Sequence, residues 1–286
     1  MILLTGATGF LGEFVLEELV QRGHQVTCFV RKTSNLDKIK QLNVSYVFGE
    51  LDDYKSICNA LKEKDALINI ASLGFGHAPN IIRACKETGV KRSIFVSTTG
   101  IFTKLNPDSK GIRLAAEEQI EESNLDYTII RPTMIYGTSK DRNMWRLVKY
   151  LKVFPILPIL GTGMYLQQPV YVSDLAKAIV DSYEKDISIN KAYNISGAEA
   201  LTYNEVVDTT GKALGKKVVK IHIPMKLSYN LLKWYERISR KPKLKAEQVL
   251  RLNENKNFSY EDAEKDLGYS PLSFKDGIKL EIEKNK

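Results

Sequence analysis

A run of glycines near the start of the chain has the spacing of a phosphate-binding loop. The segment Thr5-Gly6-Ala7-Thr8-Gly9-Phe10-Leu11-Gly12 follows an apolar run, Ile2-Leu3-Leu4, and precedes an amphipathic stretch. In such a loop the first glycine permits a tight turn, the second lets the backbone approach a pyrophosphate, and the third lets helix and strand pack closely. A turn that merely needs small residues is the alternative. The position between a first strand and a first helix favours nucleotide binding.

The elements that must position this loop alternate between two kinds of pattern. Near-continuous apolar runs at 2–4, 26–30, 44–48, 66–70, 93–97 and 126–130 are typical of parallel strands covered on both faces. Helical patterns lie between them at 14–22, 54–64, 80–88 and 113–123. Gly23 and Gly89 stand where left-handed helix caps would fall. The alternation predicts an α/β fold, a Rossmann-type doubly wound parallel sheet.

The pattern changes after about Gly137. A basic helical stretch at 143–152 leads into a Pro/Gly-rich loop at 153–166, a strand at 168–172, a helix at 174–184 and a strand at 192–195. We therefore predict a core at 1–137 and a smaller, mostly substrate-binding lobe at 138–286. Segments 168–184 and 192–196 are expected to return to the core.

Further motifs follow the glycine loop in a recognisable order. They are Gly49-Glu50-Leu51, Ile70-Ala71-Ser72, Ser97-Thr98-Thr99, the segment Arg131 to Gly137, Gln168 to Ala176, and Asp266 to Pro271. Over nearly the whole chain this order resembles the extended and atypical branches of the short-chain dehydrogenase/reductase family, which includes nucleotide-sugar epimerases and dehydratases. Glu50 departs from the aspartate usual there.

The resemblance implies a nicotinamide dinucleotide cofactor. By position in the family motifs, the implied cofactor-binding residues are Gly6, Thr8, Gly9, Phe10, Leu11, Gly12, Arg31, Ser34, Glu50, Leu51, Ala71, Ser97, Arg113, Pro132 and Thr133. The family places the end of the second strand at the adenosine, where an acidic residue would accept bonds from the ribose of NAD. This chain has Arg31-Lys32-Thr33-Ser34 instead, which suits a 2′-phosphate. We therefore expect NADP(H), with NAD(H) as the alternative cofactor. If this segment binds no ligand, it is simply an exposed basic loop.

The family's catalytic set is only partly present. Thr98 occupies the Ser/Thr position that hydrogen-bonds the reacting oxygen. Alignment on Glu117 places Ser109 where the family has its catalytic tyrosine and Arg113 where it has the lysine. Serine cannot form a phenolate, so another proton carrier is needed, and Tyr136 in the Tyr-Gly turn is the candidate.

Two functions follow from the resemblance. The first is an NAD(P)-dependent oxidoreductase, epimerase or dehydratase that acts on a nucleotide sugar or related metabolite. The alternative is a catalytically inert NADPH-binding module of a larger assembly, which the missing tyrosine favours and the retained Thr98 opposes.

Basic residues after the Tyr-Gly turn form the predicted substrate end. Arg142, Arg146 and Lys149 have the i, i+4 and i+7 spacing of one helical face, and Asn143 lies beside them. We predict that Arg142, Asn143 and Arg146 contact a substrate phosphate. A solvated helix face is the equally weighted alternative.

A second basic stretch runs from Met225 to Lys245. Leu227, Leu231, Leu232, Tyr235 and Ile238 recur there at helical spacing, with Lys233, Arg237, Arg240 and Lys241 between them. We expect this helix to pack on its own domain. A membrane-surface helix, giving peripheral membrane contact, is the alternative.

Charge, hydropathy and cysteine content argue against a nucleic-acid-binding, a membrane-spanning or a disulfide-bonded protein. The 286 residues carry 42 Lys and Arg against 34 Asp and Glu, a net charge of +8, and no nucleic-acid-binding motif accompanies that charge. Neither a targeting segment nor a membrane span is evident. Three widely spaced cysteines in no metal-ligand pattern indicate reduced thiols in a cytoplasmic protein without a metal site. The sequence leaves the oligomeric state open.

Overall fold

The computed structural model of the protein describes residues 1–105, 108–239 and 253–285. The strands are β1 (Ile2–Thr5), β2 (Val26–Val30), β3 (Ser45–Phe48), β4 (Ala66–Asn69), β5 (Arg92–Val96), β6 (Asp126–Pro132), β7 (Ile135–Tyr136), β8 (Ile156–Leu160), β9 (Leu166–Gln167), β10 (Val170–Tyr171), β11 (Lys191–Ile195), β12 (Leu201–Thr202) and β13 (Val219–Ile223). The α-helices are α1 (Phe10–Gln21), α2 (Asp37–Gln41), α3 (Tyr54–Leu61), α4 (Ala78–Thr88), α5 (Asp108–Glu121), α6 (Met144–Val153), α7 (Val172–Glu184), α8 (Tyr203–Ala213), α9 (Met225–Ile238), α10 (Glu261–Leu267) and α11 (Phe274–Lys284).

Seven parallel strands form the central sheet in the order β11-β6-β5-β4-β1-β2-β3. The strand order reverses between β1 and β4, so the connections leave these two strands in opposite directions and open a crevice at their carboxyl ends. This confirms the predicted doubly wound Rossmann-type sheet. Gly23 and Gly89 take left-handed φ values of 79° and 77°, as predicted for helix caps.

Apolar clusters cover both faces of the sheet. One cluster holds α1 and α7 against β1, β2 and β5. The other holds α3, α4 and α5 against the opposite face. Because β11 extends the sheet beside β6 and α7 packs on α1, segments 172–184 and 191–195 belong to this core.

A third apolar cluster forms the smaller lobe from α6, α8, α11 and the short strands near them. The Pro/Gly-rich loop predicted at 153–166 is partly wrong, because β8 lies within it and pairs in parallel with β13. Within the described residues this ribbon has only two strands, so Pro158 can sit on its unpaired side without breaking a ladder.

The edge strand β3 departs from the prediction of burial on both faces. Tyr46 and Phe48 are 38% and 49% exposed because no strand lies beyond β3 in this sheet, within the described residues. The three cysteines are buried and unpaired, and burial raises the pKa of the Cys28 and Cys85 thiols to about 12.

Candidate cofactor cleft and active site

One continuous cleft of about 1790 Å³ runs across the carboxyl ends of the central strands. Its walls come from the loops after β1, β2, β4, β5 and β6 and from the smaller lobe. The cleft lies over the reversal between β1 and β4, where open α/β sheets bind their ligands.

The glycine loop forms the middle of this cleft. Gly6 has a φ of +72°, and its carbonyl accepts the Gly9 N–H at 3.0 Å, which closes the turn. A Cβ on Gly12 would lie 2.0 Å from the Gly6 carbonyl oxygen, so no larger residue fits where helix and strand meet. Helix α1 begins after Gly9 with no side-chain cap, which leaves its first N–H groups free for a ligand. This cradle fits a pyrophosphate.

Arg31 and Ser34 form the adenosine end of the cleft. The Ser34 N–H donates to the Arg31 carbonyl at 3.0 Å, and this turn brings both side chains to the cleft wall. Arg31 is exposed and takes part in no ion pair within the described residues. Lys32 and Thr33 lie outside the cleft lining. Of the four polar residues predicted here, two therefore face the site.

The remaining residues predicted for the cofactor also line the cleft. They are Thr8, Phe10, Leu11, Glu50, Leu51, Ala71, Ser97, Arg113, Pro132 and Thr133. The Ser97 hydroxyl is buried at the end of β5 and has no hydrogen-bond partner among the described residues. A buried polar atom that lacks a protein partner and lines a cleft is suited to hydrogen-bond a ligand there. The residues present therefore fit a nicotinamide dinucleotide.

The predicted catalytic positions lie further along the same wall. Thr98 Oγ1 accepts the Gly100 N–H at 3.1 Å, which holds the hydroxyl oxygen at the start of the 3₁₀ helix Thr99–Phe102. On α5, Arg113 Nη1 donates to Ser109 Oγ at 2.7 Å. The guanidinium rests on Gly74, where an added Cβ would lie 3.0 Å from Arg113 Nη2. The cleft thus brings two hydroxyls and one cation together.

The prediction that Tyr136 carries a proton is wrong. Its side chain is fully buried in the lobe, where the ring packs against Tyr171 and Phe274 at centroid distances of 5.5 and 5.4 Å. A Cβ added to Gly277 would lie 2.0 Å from the Tyr136 hydroxyl oxygen, so the hydroxyl points at α11 and not at the cleft. Burial raises the pKa of this phenol far above its ordinary value of 10.0. Tyr136 is a packing residue.

The substrate end agrees with the predicted residues only in part. Arg142 and Asn143 line the cleft, but Arg146 is exposed outside it, which corrects that prediction. The predicted helical face fails because α6 begins at Met144, after Arg142. Asp141 fixes this start by accepting the Asn143 N–H at 2.8 Å and the Trp145 N–H at 3.2 Å.

A late segment that sequence reasoning missed covers the substrate end. We call residues 253–258 the strap. Glu254 in the strap accepts the Thr103 hydroxyl at 2.5 Å and the Lys104 N–H at 2.8 Å. The Lys256 N–H donates to the Leu166 carbonyl at 2.8 Å. The strap therefore joins the core to the lobe, and no motif in its sequence, Asn253 to Phe258, indicated this.

Aromatic side chains complete the wall under the strap. Phe102 stacks on Phe258 with centroids 5.4 Å apart, and the Arg131 guanidinium lies 5.6 Å over the Phe102 ring. Arg131 is in turn held by Glu117, which accepts its Nε at 2.9 Å and its Nη2 at 2.6 Å. Tyr165, another cleft-lining residue that the sequence did not single out, supplies a phenol to this end.

A protein-family model described as NAD(P)H-binding matches residues 6–155, more than half of the chain. The chain belongs to this NAD(P)H-binding family. The predicted resemblance to atypical short-chain dehydrogenases/reductases is thereby confirmed. The matched region contains the glycine loop, Arg31, Thr98, Ser109 and Arg113.

Curated relatives of this NAD(P)H-binding chain include a reductase and a subunit of a larger complex. A 2-alkyl-3-oxoalkanoate reductase of Stenotrophomonas maltophilia is 26% identical, and the alignment covers 97% of each chain. Subunit 9 of the NADH dehydrogenase [ubiquinone] 1 alpha subcomplex of Arabidopsis thaliana is 29% identical over 71% of this chain. That second alignment spans only 55% of the plant subunit.

Solved structures share the fold over almost the full length. A nucleoside-diphosphate-sugar epimerase of Pseudomonas aeruginosa superposes with a TM-score of 0.81 and 16% identity, covering 99% of this chain and 96% of its own. A UDP-glucose 4-epimerase of Thermotoga maritima, solved with UDP-glucose, gives 0.77 and 19%, covering 99% and 97%. At such identities the likeness establishes the fold alone.

Proposed function

We propose that the protein is an NADP(H)-dependent reductase of a small carbonyl compound that carries an anionic group. The observation that carries this proposal is the continuity of the cleft. The same cavity contains the glycine loop, the Thr98, Ser109 and Arg113 group, and a further chamber at Arg142 and the strap. A module that only held a dinucleotide would not need that chamber.

The adenosine end supports NADP(H) in preference to NAD(H). The turn from Arg31 to Ser34 presents a cation and a hydroxyl to the cleft wall, where a 2′-phosphate would take both. Glu50 lines the cleft at a different position, after β3, and not at the end of β2 where NAD-binding folds carry the acidic residue.

The chain's own residues polarise the carbonyl and stabilise the charge that develops on its oxygen. A nicotinamide, when bound, supplies the hydride. The Thr98 oxygen accepts the Gly100 N–H, so its O–H is available to donate to the carbonyl oxygen of a substrate. The Ser109 oxygen accepts a bond from Arg113, so its O–H is likewise available as a donor. The guanidinium charge stabilises the negative charge that develops on the substrate oxygen.

The anionic group of the substrate is inferred from the chamber. Arg142 and Lys104 line it, together with the amides of Asn143 and the strap. A carboxylate and a diphosphate share the chemistry that such a wall binds. The full-length reductase relative favours a 3-oxo acid as the substrate.

The test uses the purified full chain with NADPH. Absorbance at 340 nm is followed with a panel of 3-oxo acids, and chromatography of products is used for UDP-sugars, because epimerisation consumes no NADPH. Oxidation of NADPH with the acids supports the proposal, whereas conversion of the sugars without net NADPH oxidation would identify an epimerase and contradict it. A chain that binds NADPH tightly but converts neither class contradicts it.

The second candidate is an inert NADPH-binding module of a larger assembly. It is favoured by Ser109, which stands where the family's tyrosine would be, and by the similarity to a subunit of NADH dehydrogenase. Native mass spectrometry discriminates the two. The module should retain NADPH through purification and keep it reduced during prolonged exposure to both substrate classes.

A further inference from the structure

Helix α9 exposes an apolar stripe that an ordinary amphipathic helix would bury. Leu227, Trp234 and Ile238 are 51%, 66% and 62% exposed. At about 100° per residue these three positions lie within about 40° of one another around the helix axis. The side of the helix about 100° from this stripe faces the protein, because Ser228 there is 3% exposed. Of the apolar residues that the sequence singled out in this helix, Leu227, Tyr235 and Ile238 are therefore exposed.

The ribbon that leads into α9 is apolar and exposed as well. Val219 and Ile221 of β13 are each 53% exposed, and Ile156 of β8 is 47% exposed. Val219 is in register with Ile156, and Ile221 with Pro158, so these side chains share one face of the ribbon. The chain passes from β13 into α9 through Pro224 alone. Two consecutive elements of the lobe thus present apolar residues to solvent.

A basic stripe runs along one side of the apolar stripe on α9. Lys226, Lys233 and Arg237 are exposed and lie within about 40° of one another, centred about 100° from the apolar stripe. Glu236, the single acidic residue of α9, lies about 180° from the apolar stripe. The remaining predicted cations of this stretch, Arg240 and Lys241, lie outside the described residues.

We propose that α9 docks this protein on an anionic phospholipid surface. The helix lies parallel to the membrane, with Leu227, Trp234 and Ile238 at the boundary between headgroups and acyl chains. Lys226, Lys233 and Arg237 contact the headgroup phosphates. An apolar stripe with a flanking basic stripe and an interfacial tryptophan is the pattern of an in-plane membrane helix. No helix in the described parts of the chain is long and apolar enough to cross a bilayer.

Charge decides between a membrane and a second copy of the chain. In an antiparallel two-fold contact through α9 the two basic stripes would lie on the same side of the helix pair, because such a contact pairs the same patch on both subunits. Like charges on one side oppose association, whereas anionic lipid attracts each basic residue by about 1 kcal/mol. The proposal does not depend on the reductase activity, since the cleft residues take no part in it.

The experiment measures binding of the full chain to vesicles. Sedimentation compares phosphatidylcholine vesicles with vesicles that contain 30% phosphatidylglycerol. We expect binding to the anionic vesicles that is at least tenfold tighter and that weakens with added salt. Trp145 is only 7% exposed, so a blue shift of tryptophan fluorescence on binding should come from Trp234 and vanish in Trp234→Phe.

Matched variants test whether vesicle binding depends specifically on the apolar stripe and the basic stripe. Trp234→Glu with Ile238→Glu, and separately Lys233→Glu with Arg237→Glu, should each reduce anionic vesicle binding at least tenfold. Ile187→Glu and the pair Lys55→Glu with Lys62→Glu change equally exposed residues elsewhere and should leave binding unchanged. NADPH affinity, measured in parallel, reports that each variant is folded.

Three outcomes would overturn the proposal. One is equal binding to neutral and anionic vesicles, and another is no binding to either. The third is a dimer in gel filtration that Trp234→Glu converts to monomer while the protein binds no vesicles, which would make α9 a contact between copies of the chain.

Discussion

Ser109 and Arg113 are one helical turn apart on α5, and the 2.7 Å bond between them gives the serine hydroxyl a cationic neighbour. Thr98 approaches the cleft from the end of β5, with its oxygen fixed by the Gly100 N–H. Neither hydroxyl is a strong acid. Their contribution to a reaction would come from orientation and from the charge of Arg113, which stabilises negative charge on a substrate oxygen.

Three hydroxyl deletions test this arrangement. Ser109→Ala and Thr98→Val should each lower kcat by about 10²-fold in the reductase assay, because each removes a positioned donor. NADPH affinity should change little. Tyr136→Phe is the matched control and should keep turnover within twofold, since its hydroxyl is buried at Gly277. Full turnover in Ser109→Ala would show that Ser109 does not hydrogen-bond the reacting oxygen, with Tyr165 the next residue to replace.

Arg31 should decide cofactor preference. Arg31→Asp removes a charge-assisted contact to the 2′-phosphate and places a like charge there, so NADPH should bind about 10- to 100-fold more weakly while NADH binding is kept or improved. Fluorescence titration measures both constants. Lys32→Asp makes the same charge change outside the cleft lining and should alter the preference less than threefold. Tighter binding of NADH by the unmutated protein would contradict the NADP(H) proposal.

At the scale of elements, the start of α1 is the most constrained part of the cleft. The helix can approach β1 because Gly12 has no Cβ, and its first N–H groups stay free because Gly9 offers no side-chain cap. Across the cleft, α5 is held to β6 by Glu117 and Arg131. The start of α1 would meet the pyrophosphate in the middle of a bound dinucleotide, and α5 carries Ser109 and Arg113 further along the cleft.

Gly9→Val tests the phosphate cradle. The added side chain would project from the loop where a pyrophosphate must approach, and its Cβ would lie 3.2 Å from the Gly6 carbonyl oxygen. We expect at least a 100-fold loss of NADPH affinity by calorimetry, with the fold retained. Gly111→Ala is the control. That glycine lies in α5 with open space around it, so alanine should leave affinity unchanged and raise stability by about 0.5–1 kcal/mol. Unaltered NADPH affinity in Gly9→Val would contradict the phosphate cradle and leave the loop with a structural role alone.

At the scale of the whole molecule, a buried carboxylic acid lies where two distant segments of the lobe meet. Glu281 on α11 is fully buried, and burial together with the nearby Asp141 raises the pKa of its carboxyl from 4.5 to about 9. Asp141 accepts the Trp145 N–H of α6, so this pair joins the last helix of the described residues to the segment that carries Arg142 and Asn143 into the cleft.

The raised pKa sets the direction of pH dependence. Below pH 4.5 the Glu281 carboxyl is protonated in both the folded and the unfolded chain, so it does not lower the free energy of unfolding. Between pH 4.5 and about 9 only the folded chain holds this proton, so stability falls as pH rises, by about 1.4 kcal/mol per pH unit from this group. Urea unfolding at pH 6 and pH 8 should therefore give a lower free energy at pH 8. Glu281→Gln should flatten that dependence, whereas Glu283→Gln, exposed on the same helix, should keep it. An unchanged slope in Glu281→Gln would contradict the assignment.

The sequence by itself determined the core and the cofactor end of the cleft. The buried strands of the parallel sheet show as apolar runs, and the glycine loop and the Arg31 turn are short contiguous segments. Their geometry depends on local backbone conformation and on the position of a residue at a strand end. For that reason residues from Gly6 to Thr133 could be assigned to one edge of a sheet before the structure was known.

Tertiary structure decided the substrate end and the outer surface. Whether Tyr136 faces the cleft or α11 depends on packing between segments about 140 residues apart, and the strap is held at the cleft by bonds to distant residues such as Thr103 and Leu166. The exposure of α9 likewise depends on contacts with segments that are distant in the chain. Helical periodicity identifies an apolar stripe, but only the presence or absence of a neighbour determines whether that stripe is buried. Local pattern fixes what an element is, and contacts between distant segments fix what it faces.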